Sequence, residues 1–226
     1  MGGTTAQARE PFPAAPAGGP RARPGRWTAS GSASPNGLTG TSVADMTTIS
    51  DDSTYLRLLR EQIGHEFDAH QQYVAIAVWF DGQDLPQLAS HYYRQALEER
   101  NHALMIVRYL LDRDLAVEIP AGSPVRNDFH KVTEPIALAL AQEQQVTSQI
   151  EAIFRAARAE NDALGEQFLL WFLKEQVEEV SSATTLLTVA TRAGDNLFDL
   201  ENYVAREQIG DGGVSTDAPA AAGGAL

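Results

Sequence analysis

Four glutamates, Glu66, Glu99, Glu143 and Glu179, each fall in the middle of an apolar stripe whose residues recur in steps of three and four. The first stripe reads Leu56, Leu59, Ile63, Glu66, His70, Tyr73, Ala77, and the second Leu88, Tyr92, Gln95, Glu99, His102, Ile106. The third is Ile136, Leu140, Glu143, Val146, Ile150, Phe154, and the fourth Phe168, Phe172, Gln176, Glu179, Ala183, Leu186. That spacing marks one face of a helix, so each carboxylate points toward a core. No Lys or Arg occupies any stripe. A buried carboxylate without a partner takes up a proton or finds a cation, and four close together also repel one another. Metal answers both problems. Glu99 and His102 form Glu-x-x-His, which sets a carboxylate and an imidazole side by side on one helix face, while the fourth stripe carries Gln176 and Glu179 at the same step. Four carboxylates balance two divalent cations with His102 neutral, and oxygen-rich ligation with one nitrogen suits iron or manganese better than structural zinc.

The elements that must position these groups are helices. The periodicity predicts a first helix from about Asp52 to Trp79, opened by Ser50, Asp51 and Asp52, and a second from Pro86 to Arg113, capped by Asp84. Asp114 to Lys131 contains Pro120, Gly122, Ser123 and Pro124 and reads as a long crossover. A third helix runs from Thr133 to Glu160, a fourth from Ala163 to Arg192, and a short fifth from Asn196 to Glu207. Short links make antiparallel neighbours, whereas the crossover lets the second and third helices run parallel. The expected fold is therefore all-α, a four-helix bundle with one long crossover plus a short C-terminal helix. Spacing tests whether the glutamates meet. The midpoint of Glu66 and Glu99 falls in the first turn, beside Gly82, and that of Glu143 and Glu179 in the turn at Asn161. Both pairs lie about 16 to 18 residues, roughly 25 Å, from their turns, so all four can share one level.

Composition bounds the rest. With no cysteine among 226 residues, disulfides, zinc ribbons and iron–sulfur clusters are excluded, and a reducing cytoplasmic location is the expectation. A net charge of −13 argues against nucleic acid as a partner and favours cations. The longest apolar run, Tyr73 to Phe80, is too short to cross a membrane. Residues 1–50 are rich in Gly, Pro and Ser and carry Arg9, Arg21, Arg23 and Arg26 against Glu10 and Asp45, so they read as a disordered extension. Met46 just ahead of the first helix leaves open an alternative start. Residues 51–208 read as the folded domain and 209–226 as a flexible tail.

The chain resembles the non-haem bacterial ferritins, closest to those of actinobacteria, from about residue 52 to 207. The likeness rests on Glu66 followed by Tyr73, on Glu98-Glu99-Arg100-Asn101-His102, on Glu143 in Ala-Gln-Glu-Gln, and on Glu175-Gln176-Val177-Glu178-Glu179. The resemblance implies that Glu66, Glu99 and His102 hold one iron, that Glu99 bridges to a second held by Glu143 and Glu179, and that Gln176 lies on the oxygen-binding side. Glu98, Glu175 and Glu178 match a third, transit iron site; exposed charge is the plainer reading of the same three residues. Tyr73 is either a packed core tyrosine or a redox participant one helical level from the irons. His70 reads as structural, and His65, His91 and His130 as surface groups. The implied activity is ferroxidase: Fe(II) is oxidised by dioxygen and deposited as ferric mineral within a homo-oligomeric shell of 24 subunits, the fifth helix lying around the four-fold axes. Haem is not expected, since Met1, Met46 and Met105 are the only methionines and positions 100 and 101 are Arg and Asn. Asp162 and Glu166 line iron-entry channels or simply favour a helix N-terminus. The C-terminal tail is an unstructured end or a docking peptide for an encapsulating compartment. A catalytically silent shell or cargo component is the rival reading, and a rubrerythrin-like peroxidase is disfavoured by the lack of cysteine.

Overall fold

The computed structural model of the protein describes residues 53–207 and 217–224. The extension over residues 1–50 lies outside the described residues. Among the described residues five helices form and no strand: α1 (Thr54–Asp81), α2 (Pro86–Asp112), α3 (Thr133–Ala159), α4 (Ala163–Ala193) and α5 (Leu197–Glu207). Each lies within a few residues of its expected bounds, because apolar periodicity sustained over six or more turns is a strong local signal. The long helices build an all-α bundle in which α1 packs along α2 and α3 along α4.

The ends of the bundle are closed by carboxylates from elsewhere in the chain. Ser53, rather than the three residues before it, caps α1 by accepting from the Leu56 N–H at 3.0 Å. Glu160, just past α3, accepts from Ser53 Oγ at 2.5 Å and from the Tyr55 N–H at 3.0 Å. At this same end Arg113 donates to Tyr109 Oη at 2.6 Å and to Asp162 at 2.7 Å, and Asp162 caps α4 through the Gly165 N–H. Gly165 is required here, since a Cβ would come within 2.7 Å of the Tyr55 ring.

At the opposite end the expected cap is wrong. Asp84 adopts a left-handed φ of 56° in the turn, and the N-cap position is Leu85, which has no side chain able to accept. Pro86 fits the first turn because it lacks an N–H that would go unused. The next two N–H groups, on Gln87 and Leu88, donate to Glu201 of α5 at 2.8 and 2.9 Å. Glu201→Ala therefore removes the cap of α2 and its tie to α5, and should lower unfolding stability by about 1 kcal/mol. Denaturant unfolding measures it; an unchanged midpoint would show that water replaces the carboxylate without loss.

The crossover is fastened along α1. Asp68 accepts from the Ser123 N–H at 2.7 Å, while the Gln72 carboxamide accepts from the Arg126 N–H and donates to the Arg126 carbonyl, both at 2.8 Å. This zipper lets the chain return over the length of the bundle, so that α3 starts at the end where α2 started.

Buried apolar side chains gather in two clusters. One contains Tyr73, Ile76, Phe80, Leu88, Tyr92, Ile136, Leu186 and Leu200. The other contains Tyr55, Leu59, Ile63, Ile106, Ile150, Leu169 and Phe172. Every central glutamate lies in the interval between them along its helix. His91, expected at the surface, is buried with its ring edge-on to Tyr92 at 4.9 Å.

Residues 217–224 also depart from the expected flexible tail. The Ala222 N–H donates to the Leu104 carbonyl at 3.0 Å, and Ala218, Ala221 and Ala222 pack against the second cluster. Small apolar side chains let an extended segment lie close to a helix, yet they carry no period that a sequence reading can detect. The remaining tail residues, 209–216 and 225–226, lie outside the described residues.

Candidate metal centre

Each long helix delivers one central glutamate to the polar layer between the two apolar clusters. Glu66 on α1, Glu99 on α2, Glu143 on α3 and Glu179 on α4 are all buried, the first two at 1 % exposure. Glu66, Glu99 and His102 bring one ligand atom each within 4.8 Å of one another. His102 Nδ1 lies 3.5 Å from a Glu99 oxygen, as the three-residue step requires. Gln62, one turn before Glu66, donates to Glu66 Oε1 at 3.0 Å. The other Glu66 oxygen and Glu99 Oε1 are buried without any hydrogen-bond partner.

The second half of the layer centres on Glu143. The Tyr73 hydroxyl donates to Glu143 Oε1. Gln176 Nε2 lies 3.5 Å from Glu143 Oε2, and Thr147, one turn after Glu143, holds the other end of the Gln176 amide at 2.8 Å. Gln176 and Glu179 are both buried.

Electrostatics confirms how crowded the layer is. Burial pushes the Glu66 carboxyl well above its usual range, and Glu99 beside it adds to the effect. Glu99 is raised by burial and then by Glu143. Glu179 is raised by burial, then by Glu143 and Glu99, with smaller contributions from Glu98 and Glu175. Burial raises Glu143 too, although the Tyr73 hydrogen bond and His102 oppose it. The Tyr73 hydroxyl is held well above its ordinary range by burial and by Glu143, so it stays a proton donor. Among the described residues no Lys or Arg pairs with any of the four glutamates. Orphaned buried oxygens with no cationic side chain fit a cation-binding layer, and hard oxygens with one imidazole fit a first-row divalent ion such as iron or manganese.

The three residues of the expected third site are placed unequally. Glu175 is buried and Glu98 half-buried, the latter accepting from Gln95, and both lie near enough to raise Glu99 and Glu179. Glu178 is half-exposed and faces Lys174 at 3.8 Å. Asp162 and Glu166 are engaged by Arg113 and Arg158, respectively. His70 donates from Nδ1 to the Ala96 carbonyl at 2.6 Å, a structural use of the ring.

Three supporting residues escape a reading centred on charge. Gln62 and Thr147 each sit one helical turn from a glutamate of the layer, a spacing visible in the sequence once the glutamate is chosen. Trp171 stands edge-on to the His102 ring at 5.6 Å and, with Phe172, shields it on the α4 side.

The chain is similar to known proteins over most of its length. A family profile described as a ferritin-like domain matches residues 56–193. The chain is 59% identical over 175 residues to the ferritin BfrB of Mycolicibacterium smegmatis, covering 77% of this chain and 96% of that protein. It is 36% identical to the bacterial non-heme ferritin of Staphylococcus aureus over 69% of this chain and 92% of that one. An open pore ferritin from Archaeoglobus fulgidus superposes with a TM-score of 0.67, covering 71% of this chain and 98% of that chain at 24% identity, a likeness that speaks to the fold alone. With the profile spanning all four long helices and relatives this similar over most of their own length, the chain belongs to the ferritin family.

Proposed function

We propose that this protein stores iron, binding two Fe(II) ions in the layer of Glu66, Glu99, His102, Glu143 and Glu179 and oxidising them with dioxygen before they pass to a ferric mineral core. The observation that carries the reading is the pair of orphaned buried oxygens on Glu66 and Glu99 in a layer without Lys or Arg. Iron enters as substrate: each ferrous ion supplies one electron and dioxygen accepts them. Carboxylates favour this because hard anionic oxygens stabilise the ferric state more than the ferrous one. Gln62 fixes the Glu66 carboxylate, the Trp171 and Phe172 rings keep water from the His102 side, and Tyr73 holds its proton against Glu143.

Glu98 and Glu175 serve in this reading as the first stop for iron leaving the pair, with Glu178 swinging in from its place beside Lys174. Phe198 on α5 is 78% exposed, and Leu170 and Val177 on α4 are exposed as well, apolar surface that supports assembly into the 24-subunit shell. Met105 is packed into the second core cluster, which favours a protein without haem. No described helix is long and apolar enough to cross a membrane, and a cytoplasmic location agrees with the absence of cysteine. The docked residues 217–224 weigh against the tail as an external docking peptide.

Anomalous diffraction at the iron edge on crystals soaked anaerobically with Fe(II) tests the centre. Two peaks are expected, one among Glu66, Glu99 and His102 and one among Glu99, Glu143 and Glu179. Peaks only at the surface would remove the assignment.

A further inference from the structure

Thr147 is within 2.8 Å of two carbonyl oxygens at once. One is the backbone carbonyl of Glu143, four residues earlier on α3, and the other is the Gln176 side-chain oxygen on α4. A threonine hydroxyl has one proton to donate and two lone pairs to accept with, so it can satisfy only one of them. The bond to the carbonyl four residues back is the habitual one for threonine inside a helix. The group of Gln176 that faces Thr147 must then be a donor.

Rotating the Gln176 amide by half a turn satisfies Thr147 and leaves two acceptor oxygens, of Gln176 and of Glu143, facing each other, an arrangement that a cation between them would satisfy. The carboxamide nitrogen donates to Thr147 Oγ1, Thr147 donates to the Glu143 carbonyl, and the carboxamide oxygen turns toward Glu143 Oε2. What the rotation gives up is the 3.5 Å contact from nitrogen to Glu143, too long for a good charge-assisted hydrogen bond. Gln176 is buried at 3 % exposure, so its amide has no solvent alternative and its orientation is decided by Thr147.

We propose that Thr147 is the positioning residue that presents the Gln176 carboxamide oxygen, rather than its nitrogen, to the Glu143 and Glu179 half of the centre, making Gln176 a neutral oxygen donor for the second divalent cation. The inference rests on the two-cation reading above and assigns a residue that carries no charge and touches no metal itself. It also accounts for an amide at this place: with its oxygen inward, Gln176 adds a ligand without adding a fifth negative charge to a layer already crowded with four.

Anaerobic Co(II) titration of the assembled protein, followed by the visible absorption of bound cobalt and by calorimetry, separates the possibilities. Wild type is expected to take two Co(II) per chain. Thr147→Val, which keeps the shape and loses the hydroxyl, should weaken the second cation by about tenfold or more and leave the first within about twofold. Thr147→Ser should restore the second, and in a Gln176→Leu background Thr147→Val should have no further effect. A Thr147→Val protein that binds its second cation as tightly as wild type, or more tightly, overturns the proposal, since a nitrogen facing inward would be freed to turn away once the hydroxyl is lost. Thr147→Ala gives the same comparison should the valine variant fail to assemble. A wild type that binds fewer than two Co(II) takes down the two-cation reading, and this inference with it.

Discussion

Replacing Glu99 and His102 together with alanine should abolish fast ferrous oxidation. The pair comes from one helix turn and provides two of the three ligand atoms gathered within 4.8 Å. Glu99 also lies beside Glu143, so its loss opens both halves of the layer. Single groups that merely orient metal ligands are worth about 10–100-fold, and removing two ligands should exceed the upper end of that range. Stopped-flow absorbance of ferric product after mixing with Fe(II), alongside oxygen consumption, measures the loss as a drop of roughly 100-fold or more. Glu61→Ala serves as the control, because Glu61 is exposed and, among the described residues, pairs with Arg57 one turn away on α1. Rates in the double variant equal to wild type would place the chemistry elsewhere and remove the site assignment.

Divalent cations should stabilise the protein strongly at neutral pH and weakly in mild acid. Glu66, Glu99, Glu143 and Glu179 all have folded-state pKa values raised by burial, and Glu66, Glu99 and Glu179 are raised further by a neighbouring glutamate of the layer. In the unfolded chain each titrates near the ordinary value of about 4.3. The folded, cation-free protein thus holds more protons than the unfolded chain above that value, and its stability falls as pH rises toward the raised pKa values. Below about pH 4.3 the four are protonated in both states and impose no penalty. A divalent cation reverses the trend, since it binds the deprotonated layer and expels the protons. At a concentration about 100 times its dissociation constant, a cation bound only by the folded state adds about 2.7 kcal/mol. For a domain of this size that corresponds to a rise in Tm of roughly 5–10 °C. Scanning calorimetry with Co(II) or with chelator should show the larger gain at pH 7.5 than at pH 5.5. Calorimetric titration in buffers of different ionisation enthalpy should show protons released on binding. A gain that is larger at the lower pH would mean that the glutamates of the layer are not the ligands.

Helix positions and the meeting of the four glutamates were legible because a single physical signal, apolar residues at helical spacing, encodes both which segments coil and which face turns inward. That signal says nothing about partners from distant segments. Glu160 and Glu201 look like ordinary exposed acids in the sequence, yet they cap α1 and α2 across more than a hundred residues of chain. Asp84 was the obvious local choice for α2 and is instead spent on the left-handed turn. Glu175 and Glu178 are one helical step apart and equally acidic, and only the packing of α4 decides that the first is buried while the second faces Lys174. His91 went unrecognised as a core residue because an imidazole beside a buried tyrosine has no distinctive period. Thr147 has neither charge nor a position on the central stripe, so its part emerges only once the Gln176 amide is seen across from it.

Each glutamate of the layer sits ten or more residues, about three turns, from either end of its helix. Fraying, the cheapest local opening available to a helix, stops well short of that depth. Amide protons at these four positions should therefore exchange with solvent only when the whole domain unfolds. Ions cannot come and go by breathing of the scaffold; they have to pass between side chains of an intact wall.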